Sequence, residues 1–416
     1  MNPTKPAAWR SFCPQFNRGL TFHLVLNLGK GHLVQVWYTQ MMDSNLRLNS
    51  VANYYNLRSE FKENGFNLRR TELSIKGPIL PGVEYQVMID PSINTTSANA
   101  TNSNASYNPT VLQDVFITYS FMGVQAKVGQ FKTLQTYEGN ISSSELLFAE
   151  RSQLGRVFGD KRDRGLVLAV PFGDAKGFGG KFSAGAFNGV SDLASGKAGD
   201  TNAGKDLVLR ADFNVGASHA FGAYTLQGST DQTDKGALLG KTFSGVAVPT
   251  NALVLDNKDK TTNMGAYYTF KSGGLQVSAE YITGLLGRRS PSVGAQAGVA
   301  GREHLDQKFA GYYVTTGYTF GPHTLLARYD LMNYNSGDQW YTAASPYIST
   351  ATDYSPKFTE TTIGYTYAFS PAKVKAANLK LNYILRSKNF LKPNAAAGQT
   401  SEQGGDTLIA AFQVAF

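Results

Sequence analysis

The sequence predicts an all-β transmembrane antiparallel barrel of about sixteen strands, and three observations predict it. Apolar residues recur at every second position through segment after segment. No apolar run approaches the length of a membrane helix. The connections between segments alternate short with long. A chain of 416 residues would otherwise suggest two or three soluble domains, but all-β barrels of this size occur as one.

Composition narrows the classes. Charged residues are 17% of the chain, against roughly a quarter in soluble domains. The 22 Tyr and 25 Phe exclude a disordered chain. The longest apolar runs, such as Leu166–Pro171 and Leu408–Phe412, fall far below the roughly 18 residues of a membrane-spanning helix. A single cysteine, Cys13, excludes a disulfide framework and any cysteine-based metal site. The net charge of +9 favours anionic partners.

The elements follow in order. Residues 1–23 form an extension with Lys5, Arg10 and Arg18 and with Pro3, Pro6 and Pro14. It lacks an apolar core and a small-residue cleavage site, so no export signal is visible there. Residues 24–416 form one barrel domain. Its strands begin near Leu24, Phe66, Val83, Leu112, Val124, Arg164, Lys181 and Asp206. They continue near Ala223, Thr262, Leu275, Phe309, Thr324, Phe358, Leu379 and Asp406. In Leu379–Arg386, Leu379, Leu381, Tyr383 and Leu385 share one face, and Lys380, Asn382, Ile384 and Arg386 share the other. Leu408, Ala410, Phe412, Val414 and Phe416 alternate in the same way.

Short turns at 77–82, 120–123, 172–179, 215–221, 271–274, 321–323 and 370–377 separate long connections around 40–65, 91–111, 131–163, 189–205, 231–261, 285–308, 332–357 and 389–405. An outer-membrane barrel places short turns in the periplasm and long loops outside. An even strand number puts both ends of the barrel on the periplasmic side. A large soluble β protein with half-exposed sheets has no reason for either pattern. Ser92–Ser106 reads as a polar surface loop, with formal sequons at Asn94, Asn99 and Asn104.

Sixteen strands enclose a lumen too wide for side chains to fill, so the interior is wet and the polarity is inverted. With the Leu, Val and aromatic face toward lipid, the lumen wall receives Arg70, Lys76, Lys127, Lys181, Arg210, Arg328, Lys380 and Arg386. It also receives Glu72, Asp114, Asp212, Glu280, Asp330 and Glu360. A charge on the lipid face at mid-bilayer would cost roughly 2–4 kcal/mol, which supports the inward assignment. Arg70/Glu72, Arg210/Asp212 and Arg328/Asp330 are same-face neighbours, so a wall arginine reads either as a salt-bridged residue or as part of an anion path. Tyr318, Phe320, Tyr365, Tyr367 and Phe369 suit interfacial girdles.

Catalysis and nucleic-acid binding find no support. His23, His32, His219, His304 and His323 are scattered outside any metal-ligand spacing, and no Ser/His/Asp constellation emerges. The positive charge is spread without a patch.

Several stretches carry a resemblance. They are Asn67–Gly77 (NLRRTELSIKG), Leu112–Tyr119 (LQDVFITY), Val128–Lys132 (VGQFK), Ser142–Ser152 (SSSELLFAERS), Gly311–Phe320 (GYYVTTGYTF), Ala327–Asp330 (ARYD), Leu379–Arg386 and the Phe416 ending. In this order they resemble the phosphate-selective porin O and P family. The resemblance implies a homotrimeric outer-membrane channel with loop three folded into the pore. It also implies that Phe416 serves as the signal read by the barrel-assembly machinery. Loop three runs from Phe131 to Asp163 and carries Lys132, Arg151, Arg156, Lys161 and Arg162, with Glu138, Glu145, Glu150, Asp160 and Asp163. A short helix over Ser143–Arg151 is expected, capped by Ser142 or Ser143. Basic side chains at such a constriction would select anions.

The expected function is passive diffusion of small anions, with phosphate and other oxyanions as candidate solutes, in contact with outer-membrane lipid and without cofactor or metal. The motifs identify the barrel better than the solute. A general non-selective porin stands as an alternative. So does a barrel sheath that holds a partner such as a multihaem cytochrome.

Overall fold

A strand that crosses hydrocarbon can leave no backbone donor or acceptor unpaired, and closing the sheet on itself is the β solution. The computed structural model adopts it. The residues described are 29–42, 65–92, 112–174, 176–189, 204–229, 260–289, 305–333, 336, 357–386, 389–394, 399–403 and 406–416. The extension at 1–23, the predicted start at Leu24, the sequons at Asn94, Asn99 and Asn104, and His304 lie outside them.

The strands are β1 (Gly29–Met41), β2 (Gly65–Leu80), β3 (Val83–Ile89), β4 (Leu112–Phe121), β5 (Val124–Lys132), β6 (Arg162–Gly173), β7 (Phe178–Phe187), β8 (Asp206–Val215) and β9 (His219–Ser229). They continue as β10 (Lys260–Ser272), β11 (Leu275–Arg289), β12 (Leu305–Phe320), β13 (His323–Asn333), β14 (Lys357–Ala368), β15 (Ala377–Arg386), β16 (Asn389–Asn394), β17 (Gln399–Gln403) and β18 (Thr407–Ala415). Strands β1 to β15 pair with their chain neighbours, and β18 closes the barrel between β15 and β1. Sixteen strands thus form the wall, as expected. The connection at 389–405, expected as a loop, instead contains a separate two-stranded sheet of β16 and β17. Its strands pair with each other and not with the wall, so the wall periodicity does not reveal them.

Closure is secured at the turn end of the barrel. The His32 amide donates to the Phe416 carbonyl at 2.7 Å, and the Phe416 amide returns the bond at 3.0 Å. The two rings lie 4.9 Å apart. Aromatic side chains gather around the same end. Phe213 stacks on Phe221, Tyr318 on Phe320, and Phe369 meets Phe412 edge-on. Rings at this depth suit the membrane–water interface.

Alternation separates the two faces. On β13, Thr324, Leu326, Arg328, Asp330 and Met332 are buried inside, while Leu325, Ala327 and Tyr329 are exposed toward lipid. One irregularity breaks the alternation. The register of β1 against β2 shifts between Gln35 and Val36, which pair with Arg70 and Leu68 and leave Arg69 as a bulge. A bulge spends one extra residue and lets two successive side chains face one way. Arg69 and Arg70 are both buried inside the barrel. The Arg69 guanidinium covers the ring of fully buried Trp37 at 5.1 Å.

On β5, Gly129 has φ of +135°, and a Cβ there would fall 2.2 Å from the Val115 carbonyl oxygen. Phe116 and Phe131 close edge-on over this position at 5.8 Å. Gly129→Val is therefore expected to destabilise the barrel by about 2 kcal/mol, the scale of local backbone strain. The urea dependence of heat-modifiable gel mobility measures it; an unchanged midpoint would mean that the wall relaxes freely there.

Candidate functional site

Between β5 and β6 the chain leaves the wall and enters the lumen. The Thr133 amide donates to the Lys161 carbonyl at 2.8 Å and closes the neck of this third loop. Below the neck the two limbs cross at Gly139 and Gly159; a Cβ on Gly139 would lie 2.3 Å from the Gly159 Cα. Only residues without side chains allow that approach.

The descending limb carries α1 (Tyr137–Asn140), whose cap Thr136 accepts a bond from the Gly139 amide. The first amides of the turn point at a wall carboxylate. Tyr137 N and Glu138 N donate to Glu280 at 2.5 and 3.2 Å, and the Tyr224 hydroxyl donates to it at 3.0 Å. Free amides at a helix start favour such a negative partner. The Tyr137 ring stacks on Tyr267 with centroids 4.5 Å apart.

The tip reaches the turn end of the barrel. Gln35 donates to the Ser143 carbonyl, and Gln413 donates to the Ser144 carbonyl. Glu145 pairs with Lys375, in the turn between β14 and β15. Only one 3-10 turn, Ser143–Glu145, forms here, and Ser142 makes no side-chain cap bond. The helix expected over Ser143–Arg151 is thus corrected. Wall side chains take the peptide groups that a helix would use. Lys380 donates to the Leu146 carbonyl at 2.6 Å, and the Ala149 amide donates to Asn382 at 2.7 Å. The helix comes later, as α2 (Gln153–Val157), where the Ser152 hydroxyl accepts from the Gly155 amide. Its Gln153 donates to Asp330 at 2.6 Å. Phe158 then stacks on Phe309.

Ion pairs fix the returning limb. Glu150 meets Arg69 at 2.6 Å and Arg70 at 3.6 Å. Arg328, completely buried over the Phe148 ring, reaches Glu138 at 3.4 Å and Asp330 at 3.3 Å. Asp160 receives Lys132 at 2.8 Å and Arg151 at 2.7 Å. Glu360 receives Arg156 at 2.8 Å and Arg386 at 2.9 Å. Arg162 holds Asp114 at 2.7 Å, and Arg210 holds Asp212 at 2.8 Å. Arg210 also donates to the Leu134 and Thr136 carbonyls.

Four of the five expected constriction bases, Lys132, Arg151, Arg156 and Arg162, are thus ion-paired within the loop and its wall. Among the described residues, Lys161 has no ion pair. The same holds for Lys76, Lys127 and Lys181 on the inward face of β2, β5 and β7. The Lys127 ammonium lies over the Phe116 ring at 4.4 Å and the Phe131 ring at 5.2 Å. Lys380 is buried and bonds to the Leu146 carbonyl and Gln413. Phe416 lies outside this cluster, at the closure. Alternation along the sequence places Arg69 on the lipid face and so misses it; the adjacent pair Arg69–Arg70 was the available signal, because one of two consecutive arginines would otherwise face hydrocarbon. No grouping of three or more His, Cys, Asp or Glu able to hold a metal occurs among the described residues.

Burial alone would raise the Glu150 carboxyl, but Arg69, Arg70 and Arg156 hold it below the usual carboxylate range. Asp160 behaves likewise: burial pushes it up, and Arg151, Lys132 and Arg162 pull it well down. Folded-state values below the unfolded one give stability that is complete above about pH 4 and lost as pH falls further.

The family model described as phosphate-selective porin O and P matches residues 44–389. Among solved structures, the outer membrane channel DcaP of Acinetobacter baumannii is 13% identical, with 96% of this chain and 99% of that one covered and a TM-score of 0.58. Outer-membrane expressed OmpT of Vibrio cholerae is 11% identical over 95% and 99%, with a TM-score of 0.53. The anion-selective porin from Comamonas acidovorans is 12% identical over 94% and 100%, with a TM-score of 0.50. At these identities the likeness is one of fold. No curated protein sequence matches the chain.

Two outcomes follow from the clamp. Glu150→Ala removes the carboxylate that two buried guanidinium groups share and is expected to cost about 3 kcal/mol, read as a lower urea midpoint; a loss below about 0.5 kcal/mol would remove Glu150 from this role. The urea midpoint is expected to keep the clamp's contribution above about pH 4 and to lose it as pH falls toward the depressed values of Glu150 and Asp160, by more in the unmodified chain than in Glu150→Ala. An equal loss in the two chains would contradict the clamp.

Proposed function

The chain belongs to the phosphate-selective porin O and P family and is a channel of the bacterial outer membrane; we propose that it passes small anions by passive diffusion, with phosphate and other oxyanions among its solutes. The observation that carries this reading is how the cations are divided. The arginines that face the lumen are spent on carboxylates, whereas Lys76, Lys127 and Lys181 face it without an ion pair among the described residues. On this side the inward Glu84 also lacks one, so lysine is in excess.

Division of labour follows from side-chain chemistry. A guanidinium presents forked donors that grip a carboxylate and peptide oxygens together. An ammonium is a mobile point charge that can take over part of an anion's hydration shell. Loop three with its paired bases Lys132, Arg151, Arg156 and Arg162 thus narrows the path, and Lys161 stands at its neck. The wall lysines set the sign of the permeant ion, and the solute gradient supplies the drive. The family resemblance adds a homotrimer and recognition of Phe416 by the assembly machinery. A sheath around a partner protein would need the lumen volume that loop three fills. A general porin differs only in selectivity.

Planar bilayers under a KCl gradient test the reading. The expected reversal potential is anion-selective, and millimolar phosphate reduces the chloride current. Lys127→Glu with Lys181→Glu moves the potential toward cations by more than Lys132→Glu or Arg151→Glu does. Cation selectivity of the unmodified channel would overturn the proposal. For the trimer, the readout is an SDS-resistant, heat-modifiable band near three times 45.0 kDa.

A further inference from the structure

The outward face carries a charge pattern of its own, unrelated to the lumen. Arg164 lies near the loop end of β6, Lys205 just before β8, Lys260 at the start of β10, Lys308 near the start of β12, and Lys357 at the start of β14. The next residue of each, Gly165, Asp206, Thr261, Phe309 and Phe358, lies on the inward register. Alternation therefore turns the five bases outward. The four lysines are exposed and Arg164 is half-buried. Each caps an outward lane that becomes apolar below it, with Leu166 on β6, Leu207 on β8, Met264 on β10, Tyr312 on β12 and Ile363 on β14 all exposed.

The bases are spaced by the ladder. Gly165 pairs with Phe187 and Phe187 with Asp206, which puts Arg164 and Lys205 on one register row. Leu207 pairs with Gln227 and Ser229 with Lys260, which adds Lys260 to it. Two strand spacings, roughly 10 Å, separate neighbours on this row. Asn188 and Ser229 stand between them. On β12, Asp306 takes the same outward register as Lys308; on β6, β8, β10 and β14 no acidic residue takes an outward position among the described residues of this band. The arc ends at β15. Beyond it the corresponding outward positions are Leu385, Asp406, Gln40, Phe66, Leu68, Ile89 and Leu112, with no base among them. The Tyr383 hydroxyl and Arg386 amide donate to Asp406.

A row of cations at the upper edge of an apolar band sits at headgroup depth, where anionic lipids concentrate negative charge. A soluble anion bound for the lumen would have no use for an outward rim. We propose that the arc from β6 to β14 is a docking surface for phosphate-bearing headgroups of anionic lipids in the external leaflet. The inference rests on the membrane location and not on the solute selectivity.

The test uses the full chain in detergent and titrates it with diphosphoryl lipid A, counting bound lipid by native mass spectrometry. Lys205→Gln, Lys260→Gln, Lys308→Gln and Lys357→Gln together should weaken binding by roughly tenfold or more, since each base near a lipid surface contributes measurably. The four Lys→Arg changes should keep it, and Lys176→Gln with Lys373→Gln at the turn end should leave it unchanged. Heat-modifiable mobility confirms that each variant is folded. Equal binding of the quadruple Gln variant, an equal loss from the turn-end pair, or equal binding of dephosphorylated lipid A would each overturn the proposal. The reversal potential of the quadruple variant should match the unmodified channel, so a failure here is distinct from a failure of the anion reading.

Discussion

Glu150 lies between two arginines of one strand, and the form of the lumen depends on that contact. The bulge on β2 is what turns Arg69 inward beside Arg70, so one carboxylate can meet both. With Glu150 anchored there, the segment before it runs extended along the wall, and Lys380 and Asn382 satisfy its peptide groups. Arg328 of β13 then closes on Phe148, Glu138 and Asp330. The interior becomes two environments. From β8 through β15 to β2 the loop lies against the wall, whereas Lys76, Glu84 and Lys181 on β2, β3 and β7 stay exposed. A buried ion pair of this kind adds little net stability beyond an apolar substitute, yet removal of one partner is expensive. Its value here is geometric, because it fixes where the loop lies.

The barrel was legible in the sequence because its rule is local. Period two over eight or ten residues names a strand, and the sign of each face follows from lipid outside and water inside. That rule assigned Arg328, Lys380 and Arg386 to the inner wall without any knowledge of neighbours. It failed at Arg69, where one inserted residue shifts the alternation. It also could not see β16 and β17, whose pairing is with each other.

Loop three was less legible, for a different reason. The stretch Ser143–Arg151 has serines at its start and helix-forming residues after them, so local preference favours a helix. The wall overrides that preference through partners more than two hundred residues away, such as Asn382 for Ala149 and Glu360 for Arg156. The same distance hides the state of each charge. Lys132 and Lys127 look alike in sequence, five residues apart, yet one is tied to Asp160 and the other lies over two rings without a carboxylate.

The bond between Thr133 and Lys161 has a wider meaning. It continues the β5–β6 ladder by one step, so the barrel is already complete below the neck of the loop. What hangs from the neck touches the wall through side chains and peptide groups but adds no strand to it. Loop three is in effect a peptide ligand of its own barrel, held at both ends by strands that already pair.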